Sequence, residues 1–393
     1  MLDMADELLL LNPGPVPLSP DVRSAMAEPM VSHRSAAFEA DFERAQSGLR
    51  YIFETGSVDG SRTATGGTPL LLMGTASLAM EAAVSNLVGP EDTVVALENG
   101  KFGRRFRRIA ERYATVRTVA AEWGDSFDLD RVKAAIDDDV DLVTMVHNET
   151  STGVLNPVAA VGDVAAAVDA RFVVDGVTSI GGDAFHLDEW GVDLAVTDAQ
   201  KALASPPGIS AIYLAEGRES ALEPDNGPFY TDLVRHVEKA ADNQTPFTSA
   251  VPLVRGMATA LEEIQAETMP ARIARHRAQA RAFRAAFAAM DLERFPTIEA
   301  PSAMSNTVTA IELPPSVKSD AEAFFAAVAE QNVSISGGQG HLGGDIFRVS
   351  NMGNLTDDDI RRGIRALGEA LRSVDWGVDI EGALAAADDE LEA

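Results

Sequence analysis

Residues 197–208 read TDAQKALASPPG and place Lys201 between an apolar run and a turn of small residues and prolines. Lysine is scarce here, used five times against 27 arginines, so one in this position calls for a chemical reason. A lysine drawn out of water holds its proton less tightly, and its amine becomes a usable nucleophile. A lysine that simply follows a strand into solvent would have the same neighbours. The stretch RFVVDGVTSIGG (171–182) ends a β-rich run in Asp175. At the carboxyl end of a parallel strand such a carboxylate faces a crevice, although it could equally cap the next turn. Amine and carboxylate together are what pyridoxal phosphate needs: one holds the aldehyde, the other keeps the ring nitrogen protonated.

A phosphate cradle would complete that chemistry. LLLMGTASLAMEAA (70–83) runs from an apolar strand through Gly74-Thr75-Ala76-Ser77 into strong helix formers. Free amides at a helix start and two hydroxyls suit an anion, and ordinary capping by Thr75 or Ser77 would explain the same residues. No GxxxxGK[ST] pattern accompanies it, so a nucleoside triphosphate site is not indicated. In ENGKFGRRF (98–106), Phe102 sits between glycines in an expected loop, as a ring-stacking platform or a loop anchor. HNETSTGVLNP (147–157) is a dense polar turn after an apolar strand, able to touch a ligand. Arg348, amid apolar neighbours in DIFRVSNMGN (345–354), wants an anionic partner, either a substrate carboxylate or an internal acid. Gly338, Gly340 and Gly343 satisfy GxGxxG, but a strand-like segment follows where dinucleotide binding requires a helix.

These residues need a frame. Seven apolar runs, PLLLM, TVVAL, TVRTV, DLVTMV, RFVVD, VDLAVT and ISAIYL, recur between about 69 and 214, most of them separated by helix-like patterns. That alternation predicts an α/β domain with a mostly parallel sheet covered on both faces. Near PFTSAVP (246–252) the pattern changes, and 253–290 reads as one extended helix leading to a small α+β domain. The expected organisation is an N-terminal arm over 1–20, a large domain over 21–255 and a small domain over 256–393 that includes the linking helix. The acidic end from Asp379 is expected to fray.

Composition narrows the classes further. With 46% hydrophobic residues in 393, both domains can build cores. A formal charge of −29 argues against nucleic acid or an anionic membrane as partner. Scarce lysine and acidic residues spread along the whole chain read as a surface kept hydrated at high salt. The absence of cysteine excludes disulfides, thiolate metal sites and a thiol nucleophile. Asp3, Asp6 and Glu7 give the N-terminus the wrong charge for a secretion signal, and no long uncharged apolar run occurs, so a cytoplasmic location is expected.

Taken in order, LLLNPGPVPLSP, SHRSAAF, GTASLAMEAA, HNETSTGV, VVDGVTSIGG, DAQKALASPPG, TPFTSAVP and ISGGQGHLGGDIFRVSNMG resemble class V pyridoxal-phosphate aminotransferases, in particular the alanine–glyoxylate/serine–pyruvate group. The resemblance spans nearly the whole chain. It implies the fold type I architecture of these transferases, with a seven-stranded sheet, a small C-terminal domain and a homodimer with active sites at the subunit interface. It implies Lys201 as the Schiff-base lysine with Gln200 as its phosphate-side neighbour, and Asp175 on the ring nitrogen. Thr75, Ala76 and Ser77 would hold the phosphate, Phe102 would stack on the ring, Thr150 would approach the ring hydroxyl, and Thr248 would reach the phosphate of the other subunit. Arg348 would hold the substrate carboxylate, with Gly14 and Arg34 also on the substrate side. Relatives often carry Trp, Tyr or His at the position of Phe102 and Gly at that of Ala76. The implied reaction moves an amino group from alanine or serine to glyoxylate or pyruvate. The His33-Arg34 pair keeps an anionic donor such as aspartate or phosphoserine open, and a lyase or hydrolase of the same fold is a further alternative. A cysteine desulfurase is excluded by the missing thiol.

Overall fold

The seven apolar runs form the seven strands of one sheet in a computed structural model that describes residues 7–222 and 228–393. The first six residues of the expected arm, Asp3 and Asp6 among them, lie outside the described residues. In chain order the strands are β1 (Thr68–Leu72), β2 (Thr93–Glu98), β3 (Thr115–Ala120), β4 (Leu142–Val146), β5 (Arg171–Asp175), β6 (Leu194–Asp198) and β7 (Ser210–Leu214). Their spatial order is β1-β7-β6-β5-β4-β2-β3. Strands β2 to β6 pair in parallel, while β7 runs antiparallel to both β1 and β6. The runs of the other six strands are apolar without alternation because both faces are covered, whereas the edge strand β3 has only Val119 buried. Successive side chains point to opposite faces, so Val95, Val143 and Phe172 join Phe42 and Leu49 in one core. Val94, Leu142 and Val173 join Met80 and Val84 in the other.

The helices that matter to the site are α1 (Ala76–Ser85) and α2 (Lys101–Ala110), each entered directly from a strand end. The long helix expected over 253–290 is two helices, α3 (Val251–Glu267) and α4 (Met269–Ala289). Thr268 breaks them apart at φ 72°, and Pro270 opens the second. A proline lacks the amide that a continuous helix would use and clashes with the preceding turn. Packing does not divide the chain at 255/256: Val254, Leu261 and Ile273 belong to the sheet core, whereas Ala282, Phe283 and Phe287 belong to a second core. The changeover falls inside α4.

That second core holds a three-stranded antiparallel sheet, β8 (Val308–Glu312), β9 (Ser336–Gly337) and β10 (Ile346–Ser350), in the order β8-β10-β9. Helices α5 (Ala321–Glu330) and α6 (Asp357–Ser373) complete it. Leu9 and Leu11 of the N-terminal arm are buried there too, and Leu9–Leu10 pairs with Val333–Ser334. The acidic C-terminus does not fray. It forms α7 (Ile380–Leu391), capped by Asp379, whose carboxylate accepts from Gly382 N–H at 3.1 Å. Ile380, Ala383, Leu384 and Ala387 recur at helical spacing and pack into the small-domain core. Burying Ile380 and Leu384 alone contributes about 1.5–3 kcal/mol each, which outweighs the acidic composition of the exposed face. Among the described residues no helix is long and apolar enough to cross a membrane.

Candidate active site

Open parallel sheets gather their functional groups beyond the carboxyl ends of the strands. β1 leads through Gly74 and Thr75 into α1, and β2 leads through Gly100 into α2, which puts Phe102 on the first helical turn, not in the loop expected from sequence. β4 leads into the polar turn at 147–153, β5 ends in Asp175, and β6 ends in Asp198 just before Lys201. The result is a cavity of about 300 Å³. Thr75, Ala76, Ser77, Phe102, Asp175, Gln200 and Lys201 are among the residues that line it.

Lys201 is largely withdrawn from water. Burial lowers its proton affinity, as do the Arg348 and Arg105 charges, while Asp198 and Asp175 oppose the shift. Its ammonium donates to the carbonyl of Pro13. Gly14, at φ +84°, lies directly against it: a Cβ there would stand 2.5 Å from Lys201 Cδ and 2.7 Å from Nζ. Only glycine satisfies both that backbone angle and that approach. Asp175 accepts from Val177 N–H at 2.9 Å, and burial pushes its carboxyl up to about 7.

Three residues that sequence reasoning passed over complete the site. Asp198 accepts from Ala76 N–H at 2.9 Å and from Gln200 Nε2 at 2.6 Å, and burial raises its carboxyl. Like Asp175 it ends an apolar strand, a signal that could have found it. Arg105 donates to Ser77 Oγ at 2.9 Å and lies 4.8 Å over the Phe102 ring. Its spacing of three from Phe102 on α2 was the available sign. Glu149 is fully buried and accepts from the Phe102 and Gly103 amides at 3.1 and 3.0 Å, anchoring the start of α2. Burial raises it as well, and nothing in the polar turn sets it apart by sequence.

Arg348 is 3% exposed and reaches in from β10 of the small domain. It donates to Gly337 O at 3.1 and 2.7 Å and to Thr150 O at 2.9 Å. Among the described residues it forms no ion pair, and burial lowers its guanidinium to about 10. Thr150 therefore contributes its carbonyl to the placing of Arg348, and its hydroxyl meets that of Thr178 at 2.9 Å. Gly14, Thr150 and Arg348 do not line the cavity itself: Gly14 abuts Lys201 from outside it, and Thr150 and Arg348 are bonded to each other nearby, whereas Arg34 and Thr248 are not brought to it at all. Arg34 is exposed and bound to Gln244 Oε1 and to the carbonyls of Thr245 and Pro246, and Thr248 is exposed on the same segment.

Comparison with known proteins agrees with this geometry. Residues 25–356 match the family described as aminotransferase class-V. An uncharacterized aminotransferase of Methanocaldococcus jannaschii is 33% identical over 380 residues, 95% of both chains. The L-aspartate–glyoxylate aminotransferase of Paracoccus denitrificans is 31% identical over 393 residues, 98% of this chain and 96% of its own. Among solved structures, the alanine–glyoxylate aminotransferase of Nostoc superposes with a TM-score of 0.83 at 31% identity, covering 93% of this chain and 96% of the other. A buried lysine and carboxylate at parallel strand ends, joined to a match that runs through both domains, place the chain in the class V aminotransferase family.

Proposed function

We propose that this aminotransferase, whose cofactor is pyridoxal 5′-phosphate, moves the amino group of a small amino acid such as alanine or serine to glyoxylate or pyruvate, in two half-reactions at the cavity around Lys201. The single observation that carries the reading is that Lys201 and Asp175 share one cavity, with Arg348, which has no ion-pair partner among the described residues, close enough for its charge to weaken the hold of Lys201 on its proton. The cavity fits the cofactor in three respects. Gly14 leaves open the space that any side chain would fill beside the lysine. The cap residue Thr75 makes no side-chain hydrogen bond at the head of α1. Gln200 Oε1 is buried without a partner among the described residues.

When bound, pyridoxal phosphate supplies the aldehyde carbon that carries the amino group and the ring that accepts electrons. Lys201 holds that carbon at rest, and its weakly basic amine then takes the proton from the substrate Cα and returns one on the way back. Asp175 holds the proton on the ring nitrogen. Thr75, Ala76, Ser77 and Gln200 would hold the phosphate, Phe102 would pack against the ring and Thr150 would approach its hydroxyl. Arg348 receives the substrate carboxylate in two parallel hydrogen bonds. Donor and acceptor both carry a carboxylate beside the reacting carbon, so one arginine serves both half-reactions.

In this reading the protein is a cytoplasmic homodimer whose acidic surface is an adaptation to salt. Supporting the dimer, Arg34 and Thr248 are exposed away from their own cavity, on the segment whose Phe247 stacks with the exposed Tyr230 and meets the exposed Phe229 at a tilt. Thr248 would then reach the partner's phosphate, and Arg34 the partner's substrate. An anionic donor is the second reading, because Arg34 has no carboxylate partner among the described residues and the Paracoccus relative acts on L-aspartate. A yellow protein that bleaches with L-alanine and recovers with glyoxylate supports the first; bleaching only with aspartate or phosphoserine supports the second. Lys201→Ala is expected to remove the visible absorbance of the loaded protein and cut turnover by about 10⁴-fold. Persistence of that absorbance would refute the assignment.

A further inference from the structure

The amide that opens α1 is the first donor a phosphate would meet in the cradle, and here it is already engaged. Ala76 N–H donates to Asp198 Oδ2 at 2.9 Å, and the same oxygen accepts from Gln200 Nε2 at 2.6 Å. Asp198 is 2% exposed and lines the cavity shared by Lys201 and Asp175. An aspartate capping a neighbouring helix needs no further role. This one differs because both donors to its Oδ2 are groups assigned above to the phosphate, while its Oδ1 accepts from Ala199 N–H at 3.2 Å. It also has no ion-pair partner among the described residues, and a second buried carboxylate, Asp175, faces the same space.

A phosphate dianion seated at the head of α1 would lie against the ionised carboxylate across shared donors, a like-charge contact in a dry site. A neutral carboxyl, in contrast, can donate its own hydrogen bond to the phosphate. We propose that Asp198 competes with the cofactor's phosphate for the Ala76 amide and yields it only when protonated, so that loading pyridoxal phosphate draws a proton into the protein at Asp198. The inference rests on the cradle assignment made above. The groups facing Asp198 are Lys201 and Gln200 from its own turn, Asp175 from β5, Arg105 from α2, Ser210 from β7 and the Ala76 amide from α1. Burial, the largest influence, tilts the carboxyl toward its neutral form, and the like charge of Asp175 acts in the same sense; Lys201 and the bonds from the Ala76 and Ala199 amides and Gln200 oppose protonation.

The sign is fixed by linkage. A proton taken up on loading makes affinity fall as pH rises past the titration of Asp198 in the cofactor-free protein, by at most about tenfold per pH unit. Asp198→Asn keeps an acceptor for the Ala76 amide and Gln200, gives up the one for Ala199 N–H, and cannot ionise. Isothermal titration of cofactor-free wild type and D198N should use pyridoxal 5′-phosphate and pyridoxamine 5′-phosphate, the second of which forms no bond to Lys201. Titrations in buffers of different ionisation enthalpy, from about pH 6 to about pH 9, count the protons exchanged. Toward the alkaline end wild type is expected to take up about one more proton per cofactor than D198N and the variant to bind about tenfold tighter, with both differences vanishing at the acid end. Equal proton counts overturn the proposal, and so does equal affinity at every pH. Asp198→Ser repeats the comparison should the circular dichroism of D198N depart from wild type. If wild type and variants all fail to bind either form of the cofactor at any pH, the cradle assignment itself falls, and this proposal with it.

Discussion

Replacing Asp175 with Asn separates what the carboxylate does for the cofactor from what it costs the empty protein. Asp175 is 3% exposed, and burial, with Glu149 and Asp198 adding to it, pushes its carboxyl from the ordinary 3.8 up to about 7 against the pull of Val177 N–H and Arg105. In the unfolded chain the same group ionises near about 3.9. Between about pH 4 and about pH 7 the unfolded state therefore releases a proton that the folded state keeps. The contribution of this group to stability is full below that window and is lost as pH rises through it, by about 4 kcal/mol. Asn preserves the oxygen that accepts from Val177 N–H at 2.9 Å and removes the ionisation. Cofactor-free D175N should match wild type near about pH 4 and be more stable by up to about 4 kcal/mol near about pH 8. Its affinity for pyridoxal phosphate should fall, because the ring nitrogen loses its counter-charge. Urea unfolding followed by tryptophan fluorescence at a series of pH values measures the difference directly. Parallel pH profiles for the two proteins, or a less stable variant at alkaline pH, would refute the reasoning.

Two further substitutions test the edges of the site. Arg348→Lys keeps the charge but loses the planar pair of donors, so the KM of both donor and acceptor should rise by about 100-fold, corresponding to about 2–3 kcal/mol, with little change in thermal unfolding. A rise confined to one of the two substrates would contradict the shared use of this arginine. Gly14→Ala forces a methyl group onto Lys201 at a backbone angle that costs a non-glycine residue about 1–3 kcal/mol. Lower melting temperature and turnover reduced by about tenfold or more are expected together; an unaltered turnover would place Gly14 outside the working geometry.

The sheet was legible because each of its strands is a self-contained apolar run, and a run reads the same whatever it later touches. Lys201, Asp175 and the 74–77 turn were legible for a related reason: each stands at the end of such a run, where topology alone fixes that it faces the crevice. Arg105 and Glu149 were not, since their meaning comes from partners on other segments, a hydroxyl on α1 for one and the amides of α2 for the other. Asp198 shows the limit most directly, because its position was readable but its bond to Ala76 was not. At the C-terminus, composition misled where spacing informed: the acids of α7 share their turns with Ile380, Ala383, Leu384 and Ala387, which decide the outcome by burial. The break at Thr268 was signalled by Pro270 and overridden by a long run of helix formers on either side.

The N-terminal arm has a mechanical meaning beyond its contribution to packing. Leu11 donates its amide to Ser334 O at 2.8 Å, and its carbonyl accepts from Ser350 N–H at 2.8 Å, so it is riveted to the strand that carries Arg348. Two residues later the carbonyl of Pro13 grips the ammonium of Lys201, and Val16 N–H ties to Gln200 O at 3.3 Å. The arm is thus a short tie-rod between the two cores, with the arginine proposed to receive the substrate carboxylate near one end and the amine proposed to take the substrate proton at the other. One short run of backbone, residues 11–16, therefore fixes the spacing between the strand of Arg348 and the turn of Lys201, so a change in the length of the arm would be felt at both places at once.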